Sequence, residues 1–269
     1  GSFQVTATSY GATPLTLTTG TGNMSVGAVG WDHIIPGYPI SNTLDNTTIY
    51  YVEPRTIYTD PQFTQTSVTL PSQGSNSYSK IEYGNNTFVA VASGSATASL
   101  SVDGTTWSSV ALPSASNWNG IAYGNYYWVA VASGGSTAIY SSANGLGWRT
   151  STLPATANWS SIAYGMGIFV TLANTGSTVA YSTNNGATWN SGTGLPSASW
   201  SSVTYGGGKF VAIASGGTQA AYSTDGINWV SSTLPASTTW NKVRYGNARF
   251  VAVSSSSTSS AYTFDGITW

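Results

Sequence analysis

Short apolar runs alternate with breaks rich in Gly, Ser and Asn along most of this chain, and no stretch repeats its apolar positions at helical spacing. Residues 200–235 hold the pattern in its clearest form. Residues 200–205 alternate apolar and polar side chains and predict a first strand. Gly206-Gly207-Gly208 turns the chain, and Phe210, Val211, Ala212, Ile213 and Ala214 then run unbroken, as in a strand covered on both faces. A loop at 215–218 leads to a third strand at 219–223. Asp225-Gly226 is a tight-turn signal, and residues 229–234 predict a fourth strand that ends at Pro235.

This unit recurs. It opens at Trp118, Trp159, Trp200 and Trp240, and in a variant form at Tyr78, with spacings of 40, 41, 41 and 40 residues. The pair Tyr-Gly keeps the same register at Tyr83, Tyr123, Tyr164, Tyr205 and Tyr245. So does a closing tryptophan at Trp107, Trp148, Trp189, Trp229 and Trp269. Repeats of about 40 residues point to stacked or radial architectures. Four short strands per repeat, each with its own turn, predict an all-β chain folded as a β-propeller. A β-solenoid would use shorter coils.

Residues 1–62 depart from the repeat and read as an irregular β segment, with strands expected at 3–8, 15–18, 24–31, 47–52 and 55–59. Residues 63–269 form the propeller. Within them TSVTLPS at 66–72 parallels SSVALPS at 108–114, a fourth strand, whereas the last repeat stops at Trp269 without one. Residues 64–70 are therefore expected to complete the blade that ends at Trp269, giving a closed ring of five blades with no exposed edge there.

The turns before the closing tryptophans, SVDGTTW, SANGLGW, STNNGATW, STDGINW and TFDGITW, resemble the Asp-box (BNR repeat) of sialidase-like propellers. The resemblance implies a structural role for Asp103, Asn144, Asn184, Asp225 and Asp265 and for the five closing tryptophans. A carboxylate or amide there accepts backbone N–H groups across the turn, and in the family these turns hold blades together away from any active site. In the N-terminal segment, GWDHIIPG and YYVEPRTIY are similar to stretches beside such repeats in structural and tail-associated proteins of marine tailed phages. That likeness implies a virion or extracellular surface location, with residues 1–62 docking to other structural proteins.

Composition narrows the function. Charged residues make up 6% of the chain, against about a quarter in an ordinary globular protein. Net charge is −1, so there is no basic face for nucleic acid or an anionic membrane. Apolar runs are far too short for membrane insertion. With no cysteine, disulfides and thiolate metal sites are excluded, and the single His33 has no second histidine with which to share a metal. Solubility must come from Ser, Thr, Asn and Gly, a composition common in extracellular and virion proteins.

Catalysis is not expected. A sialidase needs three clustered arginines, a tyrosine–glutamate pair and an acid. The arginines here are Arg55, Arg149, Arg244 and Arg249, with Glu53 and Glu82 the only glutamates. Arg149 follows a closing tryptophan on an outer strand and cannot join Arg244 at the centre. No cofactor is implied, since Gly206-Gly207-Gly208 precedes no helix and is a hairpin turn. The expected function is a non-catalytic binding module for glycans or a cell-surface receptor. Trp118, Trp159, Trp200, Trp240 and, more weakly, Tyr78 would form an aromatic ring beside the polar loops 133–135, 174–176 and 215–217. Sugar faces stack on such rings, and repetition gives avidity. The alternative is a rigid structural component in which the tryptophans wedge between blades as core.

Overall fold

The computed structural model describes residues 67–142 and 144–269, together with four short strands nearer the N-terminus. The chain divides into two compact units, Gly1–Thr66 and Ser67–Trp269. In the first, β1 (Thr16–Thr19) pairs antiparallel with β2 (Gly22–Ser25), and β3 (Pro39–Ser41) with β4 (Ile49–Tyr51). The expected strands at 3–8 and 55–59, and His33, Glu53 and Arg55, lie outside the described residues.

The second unit is all-β and antiparallel. Its strands are β5 (Tyr78–Gly84), β6 (Thr87–Ser101), β7 (Ser108–Gly124), β8 (Tyr127–Ser142), β9 (Arg149–Gly165), β10 (Ile168–Ala173), β11 (Val179–Ser182), β12 (Asn190–Ser191), β13 (Trp200–Gly206), β14 (Lys209–Ser223), β15 (Val230–Gly246), β16 (Arg249–Ser254) and β17 (Ser260–Thr263). Several are far longer than the short strands expected. β7, β9 and β15 each carry the fourth strand of one repeat straight into the first strand of the next. β6, β8 and β14 likewise join a second strand to a third. The reason lies in the loops: Ser93 and Ser95 pair with Asn117 and Ser116, and Ser133 and Gly135 with Asn158 and Ala157, so the connections are themselves hydrogen-bonded. The strands accordingly fall into an eight-stranded sheet, β5 to β12, and a five-stranded one, β13 to β17.

The expected closing strand at 64–70 is not formed over its described part. Ser67–Leu70 belong to no strand, and β17 ends its sheet. Residues just beyond turn inward instead. Gln73 is buried, with its amide oxygen accepting from Ser95 and Thr97 at 2.6 Å each and its nitrogen donating to Tyr78 at 2.9 Å.

The core lies between repeats. The apolar second strands supply it by simple alternation, since neighbouring side chains point to opposite faces. Phe210, Ala212 and Ala214 pack back against Val170, Leu172 and Ile168 of the preceding repeat. Val211 and Ile213 pack forward with Val243, Phe250 and Ala252 of the following one. The same arrangement joins repeats one to two and two to three. Each junction also seats a tyrosine on a glycine. A Cβ added to Gly84, Gly124, Gly165 or Gly206 would fall 1.9–2.2 Å from the ring of Tyr123, Tyr164, Tyr205 or Tyr245. Only glycine fits there, which explains why the pair Tyr-Gly keeps its register.

Candidate functional site

The four opening tryptophans were read either as an exposed ring for sugars or as core wedged between blades. They are among the most deeply buried side chains, Trp118, Trp159 and Trp240 at 0% exposure and Trp200 at 1%. Their indole nitrogens are satisfied by backbone. Trp118 donates to the carbonyl of Ser95 (2.9 Å), Trp159 to Gly135 (3.1 Å), Trp200 to Gly176 and Pro196 (3.1 Å each) and Trp240 to Ala236 (3.0 Å). Each of the first three thus clamps a loop of the preceding repeat. A ring with no free face cannot stack on a sugar, so these four indoles form no aromatic glycan platform. Tyr78 stands apart: half-buried, its hydroxyl bonds to Ser99 and donates to the carbonyl of Pro71.

Above the buried indoles, the polar loops remain open. Gly134, Thr156, Ala157, Asn158, Thr175 and Thr178 line a groove of about 390 Å³ between repeats two and three.

The turns before the closing tryptophans share one geometry. Asp225 Oδ1 accepts the backbone N–H groups of Ile227 and Asn228 at 2.8 Å each, and Ser223 donates to it at 2.9 Å. Asp103 and Asp265 repeat this within 0.1 Å for the backbone contacts. Asn184 accepts Thr188 N–H at 2.9 Å, and Asn144 accepts Leu146 N–H at 3.2 Å. Gly226 sits at φ 73°, in the left-handed region that favours glycine, and a Cβ there would strike Ile168 at 2.5 Å. Trp107 and Trp189 donate back to their turn glycines at 3.1 Å, whereas the buried nitrogens of Trp148, Trp229 and Trp269 have no partner.

A second cavity, about 260 Å³, is walled by the first strands of all five repeats. It brings Lys80 and Glu82 of the first repeat to Lys242 and Arg244 of the fifth. Burial raises the Glu82 carboxyl above its ordinary value, against the pull of Arg244, the Tyr83 N–H and Lys242. Burial lowers Lys242, helped by the charges of Lys80 and Arg244 and opposed by Glu82. Sequence reasoning placed Arg244 at the centre but missed Lys80 and Glu82 as its neighbours. The signal was present as a departure from the repeat: the third and fifth positions of the first strand are Lys and Glu in repeat one and Lys and Arg in repeat five, but Gly, Ser, Ser and Ala, Ala, Thr in repeats two to four. Arg149 is exposed on β9 and takes no part.

Among the described residues no group of three or more His, Asp or Glu side chains could hold a metal.

No protein-family model matches this sequence, and no curated protein matches it. Solved structures do resemble it in fold. A catalytically inactive histidine-to-alanine form of virginiamycin B lyase from Staphylococcus aureus, with quinupristin, superposes with a TM-score of 0.60 at 12% identity, over 82% of this chain and 74% of that one. YCF48 bound to D1 peptide gives 0.54 at 16% identity, over 71% of this chain and 64% of that one. The computationally designed Ika8 protein gives 0.56 at 13%, over 70% and 58%. The likeness establishes a propeller-like all-β fold and nothing finer.

Proposed function

We propose that this chain is a rigid, non-catalytic framework module of a virion tail or other extracellular assembly, built as a five-bladed propeller with Asp-box turns. The observation that carries the reading is the burial of Trp118, Trp159, Trp200 and Trp240. Repetition that would have served avidity serves packing instead. Supporting it, the four junctions from repeat one to repeat five are held by the same tyrosine-on-glycine seat, and the surface is dominated by uncharged polar residues with 6% charge overall. The five turns accept backbone N–H groups as Asp-boxes do. Docking to other structural proteins through residues 1–62 belongs to the same proposal.

The neighbours include a lyase, so the non-catalytic part rests on side-chain chemistry. Histidine is absent from residues 67–269. The acids Asp103, Asp225 and Asp265 are each engaged in a turn.

A glycan-binding reading keeps one point in its favour, the polar groove beside Asn158 and Thr175. A glycan array on the purified chain, paired with hydrogen exchange, separates the two. The framework reading expects no neutral-glycan signal and strong protection of the second strands in all five repeats. Neutral-glycan binding that is lost on Asn158→Ala with an unchanged melting temperature would install the glycan reading in its place.

A further inference from the structure

In nearly identical repeats, places that break the repeat mark positions where something other than packing sets the residue. The first strands offer the sharpest case. Their third and fifth positions supply much of the wall of the cavity of about 260 Å³. In repeats two to four these positions hold Gly120 and Ala122, Ser161 and Ala163, and Ser202 and Thr204, residues too small to fill it. In repeats one and five they hold Lys80, Glu82, Lys242 and Arg244. Four charges thus meet in one cavity, in a chain with only 7 basic and 8 acidic residues.

The charges do not cancel one another. Three are cations and one is a carboxylate. No ion pair engages the cations among the described residues: Lys80 Nζ reaches Asn119 Oδ1 at 3.5 Å, and Arg244 donates to the carbonyl of its neighbour Val243 at 3.5 Å. Bringing three like charges together costs free energy that packing alone does not return. A bound anion would return it, and a guanidinium presents a planar fork suited to a carboxylate. Elsewhere on the wall, Ser161 accepts the Val203 N–H at 2.9 Å and keeps its own proton to donate, while Thr204 lines the same cavity.

We propose that this cavity binds a compact organic acid the size of a single sugar acid, its carboxylate held by Lys80, Lys242 and Arg244 and its hydroxyl groups by the Ser161 and Thr204 wall. The site differs from the aromatic face first expected in place, in charge and in number, since there is one per chain. It is independent of the framework role, which uses none of these residues.

Titration calorimetry of the full chain with D-glucuronate, D-glucose and inorganic phosphate tests it. Glucuronate binds in the millimolar range or tighter and weakens as salt rises; glucose does not bind. Arg244→Gln and Lys242→Gln each weaken glucuronate by about five- to tenfold, as expected for loss of one charge-assisted contact. Glu82→Gln strengthens it, because it removes the competing carboxylate. Arg149→Gln, far out on β9, leaves it unchanged. Arg244→Lys, which keeps charge and loses the fork, falls between parent and Arg244→Gln, and it decides the matter should Arg244→Gln fail to fold. Absence of glucuronate binding, equal binding of glucose, or equal weakening by Arg149→Gln overturns the site. Phosphate binding as tight as glucuronate overturns the sugar-acid assignment.

Discussion

At the scale of single residues, the turn acids illustrate how little charge this fold uses and where. Asp225 is held at about 2: burial works to raise it, and the hydrogen bonds from the Asn228 backbone and side chain, Ile227 and Ser223 outweigh that. Asp265 is also held at about 2, by Thr263 first and then the Thr268 and Ile267 N–H groups. The Thr106 and Thr105 N–H groups hold Asp103 well below the usual carboxylate range. A carboxyl depressed in the folded state stabilises it above the unfolded value, here 3.8, and that stability is lost as pH falls through the folded value. These three acids therefore lower urea midpoints between about pH 4 and pH 2 and leave them unchanged above about pH 5, whereas Glu82, raised by burial, acts in the opposite sense above its ordinary value. The three turn acids are largely exposed, so each contributes modestly. Asp225→Ala is expected to cost about 1 kcal/mol, near the value for a lost cap on backbone donors. Asp225→Asn should cost less, because repeats two and three already use Asn144 and Asn184 in the same place. An Asn variant as damaged as the Ala variant would show that charge, and not acceptor geometry, holds the turn.

At the scale of elements, the tyrosine-on-glycine junction makes paired predictions. Gly124→Ala places a methyl about 1.9 Å from the Tyr164 ring, so backbone must move, and overpacking of this kind costs about 1–3 kcal/mol. Gly246, at the same place in repeat five, has nothing within 4 Å, and Gly246→Ala should be neutral. Likewise Ile213→Ser removes a fully buried side chain, whereas Val253→Ser alters one that is 44% exposed and should cost far less. Denaturant unfolding of the four variants checks the pattern, and equal costs within either pair would refute it. The strands and turns were legible because alternation, Asp-Gly and Tyr-Gly are local signals. Burial of Trp159 and Trp200 was not, because an indole reads alike whether its nitrogen meets solvent or the carbonyl of Gly135 or Gly176 in the preceding repeat. The long β7, β9 and β15 were hidden for a related reason: loop-to-loop pairs such as Ser93 with Asn117 carry no apolar mark. The cavity charges were visible as residues, but their meeting depended on how the first and fifth repeats come together.

At the scale of the whole molecule, the two compact units divide between Thr66 and Ser67, and the first repeat leans on the residues at the start of the second unit. Repeat one opens with Tyr78 where the others open with tryptophan, and a phenol carries its polar atom at the far end of the ring, where an indole carries its N–H on the side. The hydroxyl is met by residues 71–73. The Pro71 carbonyl accepts from Tyr78 at 2.7 Å, and Gln73, 8% exposed, ties Tyr78, Ser95, Thr97 and Ser99 into one network. A buried amide satisfied at both ends is costly to remove, since its partners keep their need for hydrogen bonds. A chain beginning at Ser67 should therefore fold with one cooperative transition. A chain beginning at Ser75 should lose protection across β5 and β6 in hydrogen exchange while repeats three and four keep theirs. Within the longer chain, Gln73→Ala should cost about 1–3 kcal/mol, and Gln73→Glu more at neutral pH than at about pH 4, because a charged carboxylate cannot donate to Tyr78. If the chain beginning at Ser75 matches the one beginning at Ser67 in exchange and in urea midpoint, residues 71–73 are a passive linker, and the first repeat is held by its junction with the second alone.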